Sequence, residues 1–311
     1  MPGHVTFIHG IGNQQSPDSI VRSWKRSLAD GGDGVDLDTY GVTASMVYWA
    51  DVMYEEPSDV SRDNESVLLE GITKSELPGV DESYLDTSDT DEQAFLAAMA
   101  ETYNLDADED IPVPDISDVE AGAAHTLEAM PLPWFVKKPL MRIFLRDVHH
   151  YLFNTSHTPR TGETFEVQNE IRRRYVADLA AVDSHPHIVI AHSMGTVMSY
   201  DVLKRVSDSK AVDALFTLGS PLGLSEIQDQ MGPEWTKDNG FPAKVGAWMN
   251  FADGLDPVCG ADPKLANEYQ RKKDPVVDDV MVTNNGLFRH PVSKYMRQKS
   301  FQDAVRAALG V

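Results

Sequence analysis

The stretch HPHIVIAHSMGTVMSYDVL, residues 185–203, ends an apolar run abruptly at Ala-His-Ser-Met-Gly and continues at helical spacing. A serine at such a junction can serve as a nucleophile, provided a sharp strand-to-helix turn lifts its hydroxyl out of the sheet and sets a helix N-terminus beneath it. That turn needs small residues two before and two after the serine, and Ala191 and Gly195 stand there around Ser193. Alanine replaces the commoner first glycine, so the pentapeptide alone also describes an ordinary turn. The rest of the chain decides.

A nucleophilic serine requires a base to take its proton and an acid to hold that base, in the chain order serine, acid, histidine, each just past the carboxyl end of a strand. One histidine follows Ser193, namely His290, between the apolar run VVDDVMVTN and the C-terminal helical pattern. The acid is expected after KVGAWMNFA, where DGLDPVCG offers Asp253 and Asp256. Asp256 is favoured because Asp-Pro-Val fixes a carboxylate just past a strand, and Asp253 is the second candidate. The earlier strand end, LFTLGSPLGL, presents Ser220 and no acid. Acyl transfer also needs two backbone N–H groups aimed at the developing oxyanion. The amide of Met194 follows the nucleophile directly, and that of Ile11 lies in HGIGN, with Gly10 and Gly12 as backbone-permissive neighbours.

Together VTFIHGIGNQ, IVIAHSMGTVMSY, LFTLGSPLGL, WMNFADGLDPV and the His290 loop resemble an α/β-hydrolase of the lipase and esterase type. HGIG with AHSMG is similar to small bacterial lipases; GSPL followed by Trp248-x-Asn250 and DPV is similar to larger serine esterases acting on acyl chains. The resemblance implies Ser193 as nucleophile, His290 as base, Asp256 as acid, and Ile11 and Met194 as oxyanion donors, with no cofactor and no metal. It covers residues 4–13 and 185–295. Residues 51–165 match no part of it and lie where such families insert a cap or lid. The family's two leading strands have no counterpart, which implies a reduced sheet of about six strands.

These residues need a scaffold of alternating strands and helices, and the sequence supplies one. VTFIH reads as a buried strand, SPDSIVRSWKRSLADGG as a helix with Ser16 as N-cap, Pro17 at its first position and Gly31 as its stop, and TASMVYWA as a second strand. Within 51–165, capping boxes at Thr90-x-x-Gln93 and Ser117-x-x-Glu120 announce two helices, and residues 131–153 end in an amphipathic helix that packs on the core or lies on a lipid surface. From residue 166 the alternation resumes: EVQNEIRRRYVADLAAV as helix, HIVIA as strand, GTVMSYDVLKRV as helix, then ALFTLGS, KVGAWMNFA and VVDDVMVTN as strands. VSKYMRQKSFQDAVRAAL reads as one closing helix. The pattern predicts one α/β domain over 1–311 with a mostly parallel sheet, helices on both faces, and 51–165 as a mainly helical acidic insertion between core parts 1–50 and 166–311.

Charge sets that insertion apart. The 311 residues carry a formal net charge of −22, and residues 51–130 hold 23 of the 49 Asp and Glu but only Arg62 and Lys74 as cations. A block this acidic repels phosphates, so nucleic acid and anionic lipid are excluded as its partners, while a basic partner is not. That leaves a non-catalytic module binding a basic partner as the reading from another class. A 41% apolar, 8% aromatic composition predicts a soluble globular protein. No run of about 18 apolar residues occurs, and MPGHVTFIHG lacks the basic and apolar regions of a cleaved signal, so no transmembrane segment is expected. The single cysteine, Cys259, cannot close an internal disulfide and fits a reducing, cytosolic setting as a small buried hydrophobe.

Several other groups carry bland readings beside sharper ones. His149 and His150 are adjacent on a helical pattern and point about 100° apart, which suits packing better than a shared metal. His185 and His187 flank Pro186, and His192, beside the serine, suits packing under the turn. Met194, Met198 and Trp134-Phe135 line an acyl pocket or fill the core, and DADED at 106–110 lacks a calcium-loop pattern. The expected chemistry is cleavage of a carboxylic ester, small or lipid-like, through an acyl-enzyme; an acyltransferase, thioesterase or amidase would use the same triad.

Overall fold

Successive residues along a strand face opposite layers, and the strands His4–Ile8 and His187–His192 are buried at every position. The computed structural model describes residues 2–31, 33–58, 82–105, 134–233, 235–271, 274–286 and 288–311. Six parallel strands make the main sheet: β1 (His4–Ile8), β2 (Thr43–Val47), β5 (His187–His192), β6 (Val212–Leu218), β7 (Val245–Ala252) and β10 (Val277–Met281), in the spatial order β10-β7-β6-β5-β1-β2. Two short strands, β8 (Gln270–Arg271) and β9 (Asp274–Pro275), pair with each other outside it. In β5, Ile188 and Ile190 pack with α1 (Pro17–Ala29) and the C-terminal helices, while Val189 and Ala191 pack with the layer on the opposite face. Burial on both faces explains the nearly continuous apolar strands.

The chain lays β1 against β2, then returns to the other side of β1 for β5 and proceeds outward. That reversal makes the carboxyl ends of β1 and β5 a topological switch point, the place where open α/β sheets bind ligands. HGIGN leaves the end of β1 and Ser193 leaves the end of β5.

One layer holds α1, α8 (Val292–Met296) and α9 (Lys299–Leu309), with Trp24, Tyr295 and Phe301 buried beneath them. The other holds α2 (Ala50–Met53), α3 (Thr90–Thr102), α4 (Trp134–Leu152), α5 (Val167–Ala180) and α6 (Met194–Arg205). Phe95, Met99, Phe144 and Tyr151 from α3 and α4 belong to the same apolar cluster as Ile8, Ile11, Val47 and Met194. The described helices of the 51–165 segment thus share the core of the sheet. A short α7 (Ser225–Gln230) follows β6.

Several expected boundaries move. TASMVYWA ends as a strand at Val47, the last residue paired with β1, because the Trp49 amide turns to the ring of His9. Ser16 precedes α1, but its hydroxyl meets Ser19 Oγ and caps no backbone N–H. The cap of α3 is Asp89, one residue earlier than the Thr90 box: its carboxylate accepts the amides of Asp91 and Glu92, and Gln93 reaches the Thr87 carbonyl. The closing helix is two helices, broken at Gln298, whose side chain bonds Thr283 O and Asn284 Oδ1. A hairpin, β3 (Ser156–Arg160) with β4 (Glu163–Glu166), lies within the segment expected to be mainly helical, turned by Gly162 at φ +85°. The Ser117 box, DADED and the side chains of Trp134 and Phe135 lie outside the described residues.

Candidate active site

Ser193 links β5 to α6 at φ +54°, ψ −127°. This conformation costs a non-glycine residue about 1–3 kcal/mol and persists only where surrounding contacts enforce it. The contacts are these: the Ser193 amide donates to Leu218 O at 3.0 Å, the Thr196 amide and hydroxyl donate to Ser193 O at 3.0 and 2.6 Å, and Thr196 Oγ1 meets Ser220 Oγ at 2.8 Å. Gly195 lets α6 abut the end of β1, since a side-chain carbon there would lie 2.7 Å from His9 O and 2.8 Å from Ile8 O. Ser193 is fully buried, and its hydroxyl makes no hydrogen bond within the protein. Such bonds often form only with substrate in place.

His290 lies beyond β10, with its ring 4.6 Å from that of His192. Its Nδ1 contacts both oxygens of Asp256, at 2.9 and 2.8 Å, which leaves Nε2 as the atom able to take a proton. Asp256 also accepts the Tyr295 hydroxyl at 2.6 Å and the Val258 amide at 2.8 Å. Burial would raise the Asp256 carboxyl, but the charge of His290 and the hydrogen bonds from His290, Tyr295 and Val258 outweigh it and hold the group below the usual carboxylate range.

Asp253 does something else. Its carboxylate accepts the amides of Leu255 and Asn284 at 2.9 and 2.6 Å and pairs with Arg289 Nη1 at 3.2 Å. It therefore fixes the segment that carries His290 and leaves the imidazole to Asp256. His192 Nε2 donates to His290 O at 2.8 Å, a third tether on that segment. Burial, with the nearby His290 charge, drives the His192 pKa down to about 3, so the ring stays neutral.

The turn after β1 is held from both sides. His9 Nε2 accepts the Trp49 amide at 3.1 Å, so the proton of this ring sits on Nδ1, which donates to Gly10 O at 2.8 Å. In a trans peptide the Ile11 N–H must then point away from His9. The next peptide is fixed at both ends, with Ile11 O accepting Gln14 Nε2 at 2.9 Å and the Gly12 amide donating to Asp147 Oδ2 at 3.0 Å. Gly12 adopts φ +80°; Gly10, expected to need similar freedom, has no positive φ. The N–H groups of Ile11 and Met194 donate to no acceptor among the described residues, which leaves them available to an oxyanion.

Four side chains or positions of this site escaped sequence reading. Gly219, at φ +56°, backs the His290–Asp256 pair, for a side-chain carbon there would lie 2.9 Å from Asp256 Oδ2 and 3.1 Å from His290 Nδ1. Its signal was the lone glycine closing a strand pattern. Tyr295, Asp147 and Tyr103 gave no such signal, being an aromatic and an acid on helical stripes and a residue at a helix end. Met194 and Met198 are fully buried members of the core. Cys259 is buried, with Sγ 3.7 Å from Asp253 O, and burial pushes its thiol well up. His149 faces Glu92 and His150 faces Thr155, each with its own partner. Among the described residues no helix is long and apolar enough to cross a membrane. No family model matches the chain, and no curated protein matches it.

Proposed function

We propose that this chain is a serine hydrolase of the α/β-hydrolase kind that cleaves carboxylic esters through an acyl-enzyme. The observation that carries the reading is the strained Ser193 turn at the sheet's switch point beside a buried His290–Asp256 pair at 2.8 Å. A binding scaffold has no use for a paired imidazole and carboxylate under an enforced positive φ. Ser193 Oγ bonds to the ester carbon while His290 Nε2 takes its proton, and the Ile11 and Met194 amides receive the oxyanion. The carbon–oxygen bond then breaks, and His290 protonates the departing alcohol. Water, deprotonated by the same nitrogen, attacks the acyl carbon and frees Ser193. Asp256 stays ionised and holds the imidazole in the tautomer with Nδ1 protonated. Residues 51–165 form, in this reading, the inserted cap segment.

Labelling with a fluorophosphonate probe tests it. Wild-type protein should label at Ser193, Ser193→Ala should not label there, and His290→Ala should label at least about three orders of magnitude more slowly. A folded wild type that does not label at Ser193 ends the reading. Nitrophenyl esters of increasing chain length then rank the acyl groups accepted.

A further inference from the structure

Among the described residues, the two longest helices of the 51–165 segment each place one polar side chain on a loop of the candidate site. From the end of α3, the Tyr103 hydroxyl donates to Val258 O at 2.9 Å, and the amide of that same Val258 donates to Asp256 Oδ1. From α4, Asp147 accepts the Gly12 amide of the turn that carries Ile11. Both side chains are fully buried. Asp147 is matched by its neighbour Arg146, whose Nε and Nη2 reach Oδ1 at 3.0 and 2.7 Å, and Arg146 in turn bonds the Tyr54 hydroxyl and lies 4.9 Å over that ring. A buried charge costs several kcal/mol unless paired, so this pair holds its geometry tightly.

We propose that Asp147 and Tyr103 are positioning residues through which the interrupting segment aligns the oxyanion turn and the acid loop. The inference rests on the reading of Ser193 as nucleophile. Its content is that the segment does more than cover the site. The Gly12 amide would otherwise need another acceptor, and the peptide between Ile11 and Gly12 would be held only by Gln14 Nε2 on the Ile11 carbonyl. Loss of aim at an oxyanion donor affects the chemical step and spares ground-state binding.

The test separates the inactivation rate constant of a fluorophosphonate ester from its binding constant, in full-length protein whose cooperative melting is checked. Asp147→Ala should lower the rate constant by about 10- to 100-fold with binding within about twofold. The double variant Arg146→Met/Asp147→Asn, which keeps an acceptor for Gly12 without the buried charges, should regain at least about fivefold of that loss. Tyr103→Phe, which removes a single oxygen, should slow the same step about 3- to 10-fold. Folded Asp147→Ala within about twofold of wild type removes the oxyanion clamp, and the same result for Tyr103→Phe removes the acid-loop clamp. Should Asp147→Ala fail to fold, Arg146→Met/Asp147→Leu, which removes the acceptor and both buried charges together, takes its place: a rate constant about 10- to 100-fold lower supports the oxyanion clamp, and one within about twofold of wild type overturns it. Wild type without Ser193-dependent labelling overturns this inference and the reading beneath it together; labelled wild type with unaffected variants overturns this inference alone.

Discussion

At the scale of single residues, the two carboxylates of the acid loop divide their work. Asp256 faces the imidazole and Asp253 faces Arg289 and the Asn284 amide. Asp256→Asn should therefore cut Ser193 labelling by about 10⁴, as loss of the orienting acid does elsewhere, whereas Asp253→Asn should cost less than about 10² and chiefly lower the melting temperature. Equal losses would reverse the assignment. Gly219→Ala crowds the pair from behind, and we expect a labelling rate at least about 100-fold lower with little loss of fold, measured by rate and melting together. The turn at Ser193 and the contact of His290 with Asp256 were legible in the chain because residue order and the lone downstream histidine constrain them. Tyr295 was not, since its contact with Asp256 spans 39 positions and depends on where a helix breaks, and the one mark of Gly219 is a lone glycine closing a strand pattern.

At the scale of elements, strand cores and helix stripes were legible, while boundaries moved wherever a side chain outcompeted the backbone pattern. The break between α8 and α9 is the instructive case. A single helix through MRQKSF would satisfy every propensity, yet Gln298 ties the chain to Thr283 and Asn284 and frees α8 to take its own direction. That direction brings the Tyr295 hydroxyl to Asp256 Oδ2, with the Asp253 amide donating to the same oxygen of Tyr295 at 3.3 Å. A donor on Oδ2 withdraws charge from the side of the carboxylate that faces His290. Tyr295→Phe returns that charge to the imidazole and stabilises its protonated form. The acidic limb of the labelling rate against pH should shift to higher pH, with about a tenfold lower plateau. An unmoved limb would leave Tyr295 a packing residue. The β3–β4 hairpin was illegible because its strands are short and polar, with one face against α2 and α5.

At the scale of the molecule, three buried histidines contribute to the loss of stability in acid. Burial lowers His9 and His187 to about 4 and, with the His290 charge, His192 to about 3. An unfolded chain binds protons on these rings near pH 6.5, so between there and about pH 4 it takes up protons that the folded chain refuses. Stability is thus full above pH 6.5 and falls as pH drops through that window, on the order of several kcal/mol for the three together. The urea midpoint should decline over it; a flat midpoint down to pH 4.5 would contradict the buried neutral rings. The mostly parallel sheet was anticipated from strand–helix alternation, its count of about six strands from the resemblance, and the packing of α4 on the core from its amphipathic pattern; the place of α3 in that same core was not, because a local excess of charge reads as a separate unit while the packing of its apolar face leaves no mark in composition. The strand order has a further consequence for biosynthesis. β1 lies between β2 and β5, and its register with β5 joins His4 to His187. In a growing chain the edge of β1 that β5 will cover therefore stays unpaired, and open to aggregation, until more than half the chain has emerged, and assembly of the switch point around Ser193 must follow translation of β5.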